Sequence, residues 1–198
     1  MEYDGILFDF GNTLVPWGEA ETTRLFDALE PLFEPIDDFA ARAVAARDSI
    51  LTERENTDLR EGTVEEFVAA MCNGNSTTGL VDAVAQRFHE AFVEICTVPP
   101  GLRDLLDDLG RHQPLAVLSN FVLTRPVEEA LERGGVADAF VHIEVSATSG
   151  FMKPPPEPFE IAVEAMGIAR ERKLMVGDNF CADVVGGYRA GLLTALTH

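Results

Sequence analysis

The chain has 198 residues, enough for one hydrophobic core or for a core with a smaller inserted unit. Its formal charge of −19, from 34 acidic against 15 basic residues, excludes nucleic acid as a general partner, because phosphate backbones need a basic surface. No apolar run approaches the roughly 20 residues that cross a bilayer, so no membrane partner is expected.

The first element is a strand over residues 3–9, ending on Asp9 and running through Phe10 into a Gly11-Asn12 turn. A buried strand gains nothing from a terminal charge unless that charge acts, so Asp9 is the leading candidate for chemistry. Residues 16–98 then carry helix-spaced apolar positions at 24–33, 37–55, 64–71 and 80–95, with no convincing strand and no lysine. Thr63 and Glu66 form a capping-box pair at the head of the third of these, and 73–79 is a polar loop. Pro99-Pro100-Gly101 returns the chain to a regular alternation: helix 102–109, strand 114–119, helix 126–133, strand 141–145, helix 158–166, strand 173–177, helix 182–190 and strand 192–196. Alternation at this spacing predicts an α/β fold, a Rossmann-like parallel sheet covered by helices. Residues 1–15 and 98–198 form that core, and residues 16–97 an all-helical cap inserted after the first strand.

Each of four segments ends in a useful group. Strand one delivers Asp9; the second delivers Ser119 and Asn120; the loop Gly150-Phe151-Met152 delivers Lys153; the fourth strand delivers Asp178 and, five residues on, Asp183. In a parallel sheet these ends share one edge. Three carboxylates there repel one another unless a cation joins them, and Mg²⁺, a hard ion taking carboxylate, water and phosphate oxygens, is the natural one. Lys153, Ser119 and backbone N–H groups suit phosphate oxygens, leaving Asp9 to attack phosphorus.

The segments FDFGNTL (8–14), LSN (118–120), GFMKPPPEPF (150–159) and GDNFCADVVGGYRAGL (177–192) together resemble the haloacid dehalogenase superfamily of hydrolases with a helical cap. They stand in that family's order and cover nearly all of the chain outside the cap. The resemblance implies Asp9 as nucleophile, and Ser119, Asn120 and Lys153 as the groups holding the transferred phosphate. It also implies a Mg²⁺ site made by Asp9, Asp178, Asp183 and the backbone carbonyl of Gly11. One departure stands out. Phosphatases of this family usually carry a second aspartate two residues after the nucleophile, acting as general acid and base, and here that residue is Gly11. The activity implied is a Mg²⁺-dependent phosphatase acting on a small phosphorylated metabolite. A metal-independent 2-haloacid dehalogenase and a degenerate, non-catalytic binding protein are the alternatives. Retention of both Asp178 and Asp183 favours phosphate over halide, and a cap without lysine disfavours Schiff-base phosphonate chemistry.

The remaining polar residues carry less. His89, His112, His142 and His198 have no ligand spacing; Arg54 and Arg60 belong on a solvated helix face; Trp17 and Met71 are packing residues. Cys72, Cys96 and Cys181 are odd in number and widely spaced, against a disulfide framework or a zinc site. With acidic Glu2 and Asp4 in place of a basic leader, a reducing cytoplasm is the expected location. The only lysines are Lys153 and Lys173, while acid is dispersed along the whole chain. That pattern reads as adaptation to molar salt, where a Debye length of about 3 Å screens self-repulsion.

Overall fold

The computed structural model describes residues 3–74, 76–167, 169 and 172–197; Glu2, Asn75 of the polar loop, and His198 lie outside them. Strands β1 (Gly5–Phe8), β2 (Leu115–Ser119), β3 (His142–Val145), β4 (Lys173–Gly177) and β5 (Leu193–Leu196) form one parallel sheet in the order β3-β2-β1-β4-β5. β1 is central, in register with Leu115–Val117 on one side and Lys173–Val176 on the other. It is buried on both faces, which is why it reads as a continuous apolar run.

Alternate residues of the sheet feed two separate cores. Ile6, Phe8, Leu115 and Val117 face helices α5 (Leu102–Gly110) and α6 (Thr124–Arg133) through Leu106, Val127 and Leu131. Leu7, Ala116, Leu118 and Met175 face Phe159 and Ala162 of α8 (Pro156–Ala165). The period of two along each strand thus makes a three-layer α/β/α sandwich.

Between β1 and α5 the chain forms helices α1 (Glu19–Asp27), α2 (Phe39–Glu55), α3 (Val64–Met71) and α4 (Thr78–Ile95). These have a third core of their own, with Phe26, Leu29, Phe39, Phe67, Val68, Met71 and Val84 buried together. The Thr63–Glu66 capping box opens α3: the Thr63 hydroxyl accepts the Glu66 N–H at 3.1 Å, and the Glu66 carboxylate accepts the Thr63 N–H at 2.9 Å. Helix α4 belongs to both units. Val84 near its start lies in the cap core, while Ala91, Phe92 and Ile95 near its end pack with β1 and β2. Phe92 is 1% exposed, and truncating it to Ala would cost about 3–5 kcal/mol.

The structure departs from the sequence pattern in several places, among them three near the site and the cap. The helix expected over 24–33 is α1 followed by a 3₁₀ turn, Glu30–Leu32, because Pro31 lacks the N–H that would continue an α-helix. A short turn of helix, α7 (Ser146–Ser149), follows β3 and stops at Gly150 with φ +81°. The helix expected over 182–190 is a π-helical turn, Phe180–Val185, followed by the single turn α9 (Gly186–Arg189). Close packing explains where the turn stands. A Cβ on Gly186 would lie 2.9 Å from the Phe159 ring, and one on Gly187 2.9 Å from Thr194. Among the described residues no helix is long and apolar enough to cross a membrane.

Candidate active site

The sheet order places β1 between strands reached by opposite excursions: the chain moves outward to β2 and β3, then crosses back to β4 and β5. At such a switch point a crevice opens beyond the carboxyl ends of the strands. Asp9 stands at its centre. Its N–H donates to the Val176 carbonyl at 2.8 Å, extending the ladder one residue past β1 and pinning the side chain at the edge. The chain then turns at once. Leu14 and Val15 both donate to the Phe10 carbonyl, at 2.9 and 3.1 Å, and Asn12 takes a left-handed conformation, φ 55°, with its side-chain oxygen accepting the Trp17 N–H at 3.0 Å. This tight loop sends the chain into the cap while leaving Asp9 at the crevice mouth.

Lys153 reaches the same point from the loop after α7. Its ammonium donates to Asp9 Oδ1 at 2.7 Å, to Asp183 Oδ1 at 2.6 Å and to the Leu118 carbonyl at 2.8 Å, which engages all three of its protons. The loop is held against the end of β2 by a reciprocal pair: Asn120 Nδ2 donates to the Lys153 carbonyl at 3.1 Å, and the Lys153 N–H donates to Asn120 Oδ1 at 2.7 Å. Ser119, the last residue of β2, is buried beside them.

From β4, Gly177 leads into Asp178 and the π-helical turn. Asn179 caps that turn, accepting the Ala182 N–H at 2.9 Å, and its own N–H donates to Asp183 Oδ2 at 3.0 Å. Asp183 is 1% exposed and lies directly over Gly177, where a Cβ would come within 2.2 Å of Asp183 Oδ2. Only glycine leaves room for that carboxylate. Asp9, Asp178 and Asp183 each present an oxygen within 4.8 Å of the others. This oxygen-only set fits a hard divalent cation.

Burial pushes the Asp9 carboxyl up; the Lys153 ammonium opposes that rise, and the Asp183 and Asp178 carboxylates add to it. Burial alone would pull the Lys153 ammonium down, but Asp9 and Asp183 hold it above the usual lysine range. Lys153 and Asp9 thus stand as a close buried pair, 2.7 Å apart.

A cavity of about 560 Å³ opens from this site between the sheet edge and the cap, with Asn120, Lys153 and Asn179 at its floor and Trp17, Phe67 and Phe88 in its walls. Residues 59–61 of the cap are laced to the loop that carries Lys153. Arg60 pairs with Phe151 in an antiparallel bridge, the Met152 N–H donates to the Leu59 carbonyl at 2.8 Å, and the Glu61 N–H donates to the Gly150 carbonyl at 3.0 Å. The Ser146 hydroxyl donates to the Glu61 carboxylate and accepts the Phe121 N–H at 2.8 Å. Burial raises the Glu61 carboxyl above its ordinary value, with the Ser146 bond working against the rise.

A family profile for haloacid dehalogenase-like hydrolases matches residues 3–191. The chain belongs to the haloacid dehalogenase-like hydrolases. Among curated relatives, the pyrimidine 5′-nucleotidase YjjG of Escherichia coli is 37% identical over 111 residues, 55% of this chain and 48% of that protein. The chain thus spans about half the length of YjjG, and likewise of the pyrophosphatase PpaX of Oceanobacillus iheyensis, at 49%. The ribulose-1,5-bisphosphate 5-phosphatase of Halopiger xanaduensis is 25% identical over 96% of this chain and 83% of its own. Among solved structures, the HAD-hydrolase YfnB of Bacillus subtilis, bound to magnesium, superposes with a TM-score of 0.75 at 23% identity, covering 100% of this chain and 87% of the other. The same fold is seen in a 2-haloacid dehalogenase from Pseudomonas syringae, TM-score 0.71 at 21% identity over 98% and 86%.

Of the residues singled out in the sequence, Asp9, Lys153 and Asp183 make direct contacts, Asn120 holds the Lys153 backbone, and Asp178 completes the oxygen cluster. Arg54 pairs with Glu66 inside the cap, whereas Arg60 lies over the Phe151 ring at 5.0 Å and ties the cap to the loop that carries Lys153. Trp17 packs on Phe92 at 4.8 Å and also lines the cavity. His89 and His142 bond Glu129 and Glu144. Sequence reasoning missed Glu61. Its only signal was an acid just ahead of the capping box, and charge in a loop is ordinarily solvated.

Proposed function

We propose that this hydrolase cleaves a small phosphate monoester through an aspartyl-phosphate at Asp9, with Mg²⁺ held by Asp9, Asp178, Asp183 and the Gly11 carbonyl. The observation that carries this reading is the convergence of three carboxylates within 4.8 Å around a lysine clamped to two of them. A site built only for carbon–halogen cleavage has no need of the Asp178 carboxylate. Asp9, oriented by Lys153, attacks phosphorus; the bond to the leaving oxygen breaks, and that oxygen leaves with the electron pair. Lys153, Ser119 and backbone N–H groups offset the charge on the phosphoryl oxygens. A bound Mg²⁺ would neutralise phosphate charge and relieve repulsion among the acids. Water then hydrolyses the acyl phosphate and frees Asp9. Gly11 stands where an acid would protonate the leaving oxygen, so that proton comes from solvent.

The test is a panel of phosphate monoesters assayed with Mg²⁺, with a chelator, and with Asp9→Asn. The expected outcome is turnover that the chelator removes and that Asp9→Asn abolishes while its melting temperature stays near that of the parent. Hydrolysis at the parental rate by Asp9→Asn would refute the mechanism. Halide release from 2-haloacids that resists the chelator would establish the dehalogenase instead.

A further inference from the structure

The wall of the cavity that reaches Lys153 has a definite chemistry. Trp17, Phe26, Phe67, Phe88 and Phe121 all line it. Phe26 stacks with Phe67 at 5.6 Å between ring centres, and Phe88 meets Phe121 at 5.7 Å, so the rings present connected apolar faces. Several of the polar side chains among them are engaged by the protein, and Glu55, also in the lining, sits at an exposed position. Thr22 accepts the Trp17 indole N–H at 3.2 Å, and Thr63 accepts the Glu66 N–H at 3.1 Å. Arg47 pairs with Asp48 at 2.8 Å, and Glu61 accepts from Ser146 and from the Gly62 N–H. Asn120 is spent on the Lys153 backbone.

A polyhydroxylated group laid against these rings gives up water that the rings cannot replace, whereas an apolar or aromatic one gains by leaving water. The volume of about 560 Å³ falls within the roughly 300–1,000 Å³ of small-molecule sites and exceeds what a phosphate alone would need. We propose that this cavity takes the organic half of the phosphorylated substrate, and that the half it takes is a flat apolar or aromatic group, not a polyol. The proposal rests on the phosphatase reading for the position of the phosphate. The shape and chemistry of the cavity stand without it.

Trp17 is the sole tryptophan of the chain and lines the cavity, so its fluorescence reports occupancy whether or not catalysis occurs. The full chain, with Mg²⁺, is titrated with 2-phenylethylphosphonate and with 2,3-dihydroxypropylphosphonate, two anions with the same head that cannot be hydrolysed. The arylalkyl phosphonate is expected to shift Trp17 emission with a dissociation constant at least about tenfold lower than the dihydroxypropyl one, a preference reduced about fivefold by Phe88→Ala. Equal constants, tighter binding of the polyol, or emission unmoved by the aryl compound would overturn the proposal. In parallel, 2-phenylethyl phosphate and glycerol phosphate, both esters of primary alcohols, are compared as substrates. Aryl binding with no turnover of any ester sinks the phosphatase reading and upholds the cavity assignment. Turnover with glycerol phosphate preferred does the reverse.

Discussion

Placing an aspartate at position 11 tests the mechanism where this chain departs from its family. The backbone permits it: Gly11 does not lie in the left-handed region, and a Cβ there would meet Trp17 Cβ at 3.7 Å, an ordinary contact. The new carboxyl would stand two residues from Asp9, where it can donate a proton to the leaving oxygen. General acid catalysis is worth about 10²–10⁴-fold, or roughly 3–5 kcal/mol off the barrier. The gain applies only where the leaving oxygen needs a proton. Gly11→Asp should therefore raise kcat on an alkyl phosphate by about 10²-fold, the low end of that range, because the added negative charge also repels the substrate. With nitrophenyl phosphate the change should stay within a few-fold. Gly11→Asn, alike in size but unable to act as an acid, is the control and should leave both rates near or below the parent. Both substrates are measured side by side at saturating Mg²⁺. Equal acceleration of the two esters, or the same gain from Asn as from Asp, would refute the reasoning.

Other outcomes follow from the same geometry. Asp178→Ala should weaken Mg²⁺ binding, read by calorimetry, by more than the roughly 10–100-fold typical of losing an outer-sphere group, and activity should fall with it. An unchanged metal midpoint would mean the ligand is elsewhere. Glu61 is held above its ordinary value of 4.5 by burial, so the folded state binds its proton more tightly than the unfolded state. That stability is present below the unfolded pKa and is lost as pH rises through the folded one. The melting temperature of Glu61→Gln relative to the parent should consequently become more favourable from about pH 4 to pH 7; a difference independent of pH would count against a buried carboxylate there. Finally, arginines such as Arg103 and Arg125 are each already shared between two acids, leaving the remaining carboxylates to repel across about 10 Å at low salt. Melting temperature should climb between about 0.1 M and about 2 M KCl, and less steeply in a variant with several cap Glu→Gln changes, since burial strengthened by salt would act on both. A flat profile would end the salt-adaptation reading.

The sequence alone determined the architecture and the identity of the chemical groups. β1 to β5 fall within a residue or two of the expected runs, and β1 and β2, buried along their whole length, read as continuous apolar stretches. Asp9, Asn120, Lys153 and Asp178 were legible because each interrupts or ends such a run with a group the core would otherwise reject. The Thr63–Glu66 cap was legible because it is local, made by residues three apart. What only the tertiary structure decided depends on residues far apart in the chain. Lys153 reaches Asp9 across 144 positions, and Ser146 reaches Glu61 across 85. No local spacing encodes either contact. The π-helical turn at Phe180–Val185 is likewise set by what packs against it, since Asp183 must lie over Gly177 and Gly186 under Phe159. The aromatic cavity is assembled from Trp17, helices α1 to α4, and the segments after β2 and before α8. On each helix its residues carry the same apolar periodicity as core positions, and only the gap between cap and sheet separates a wall from a core.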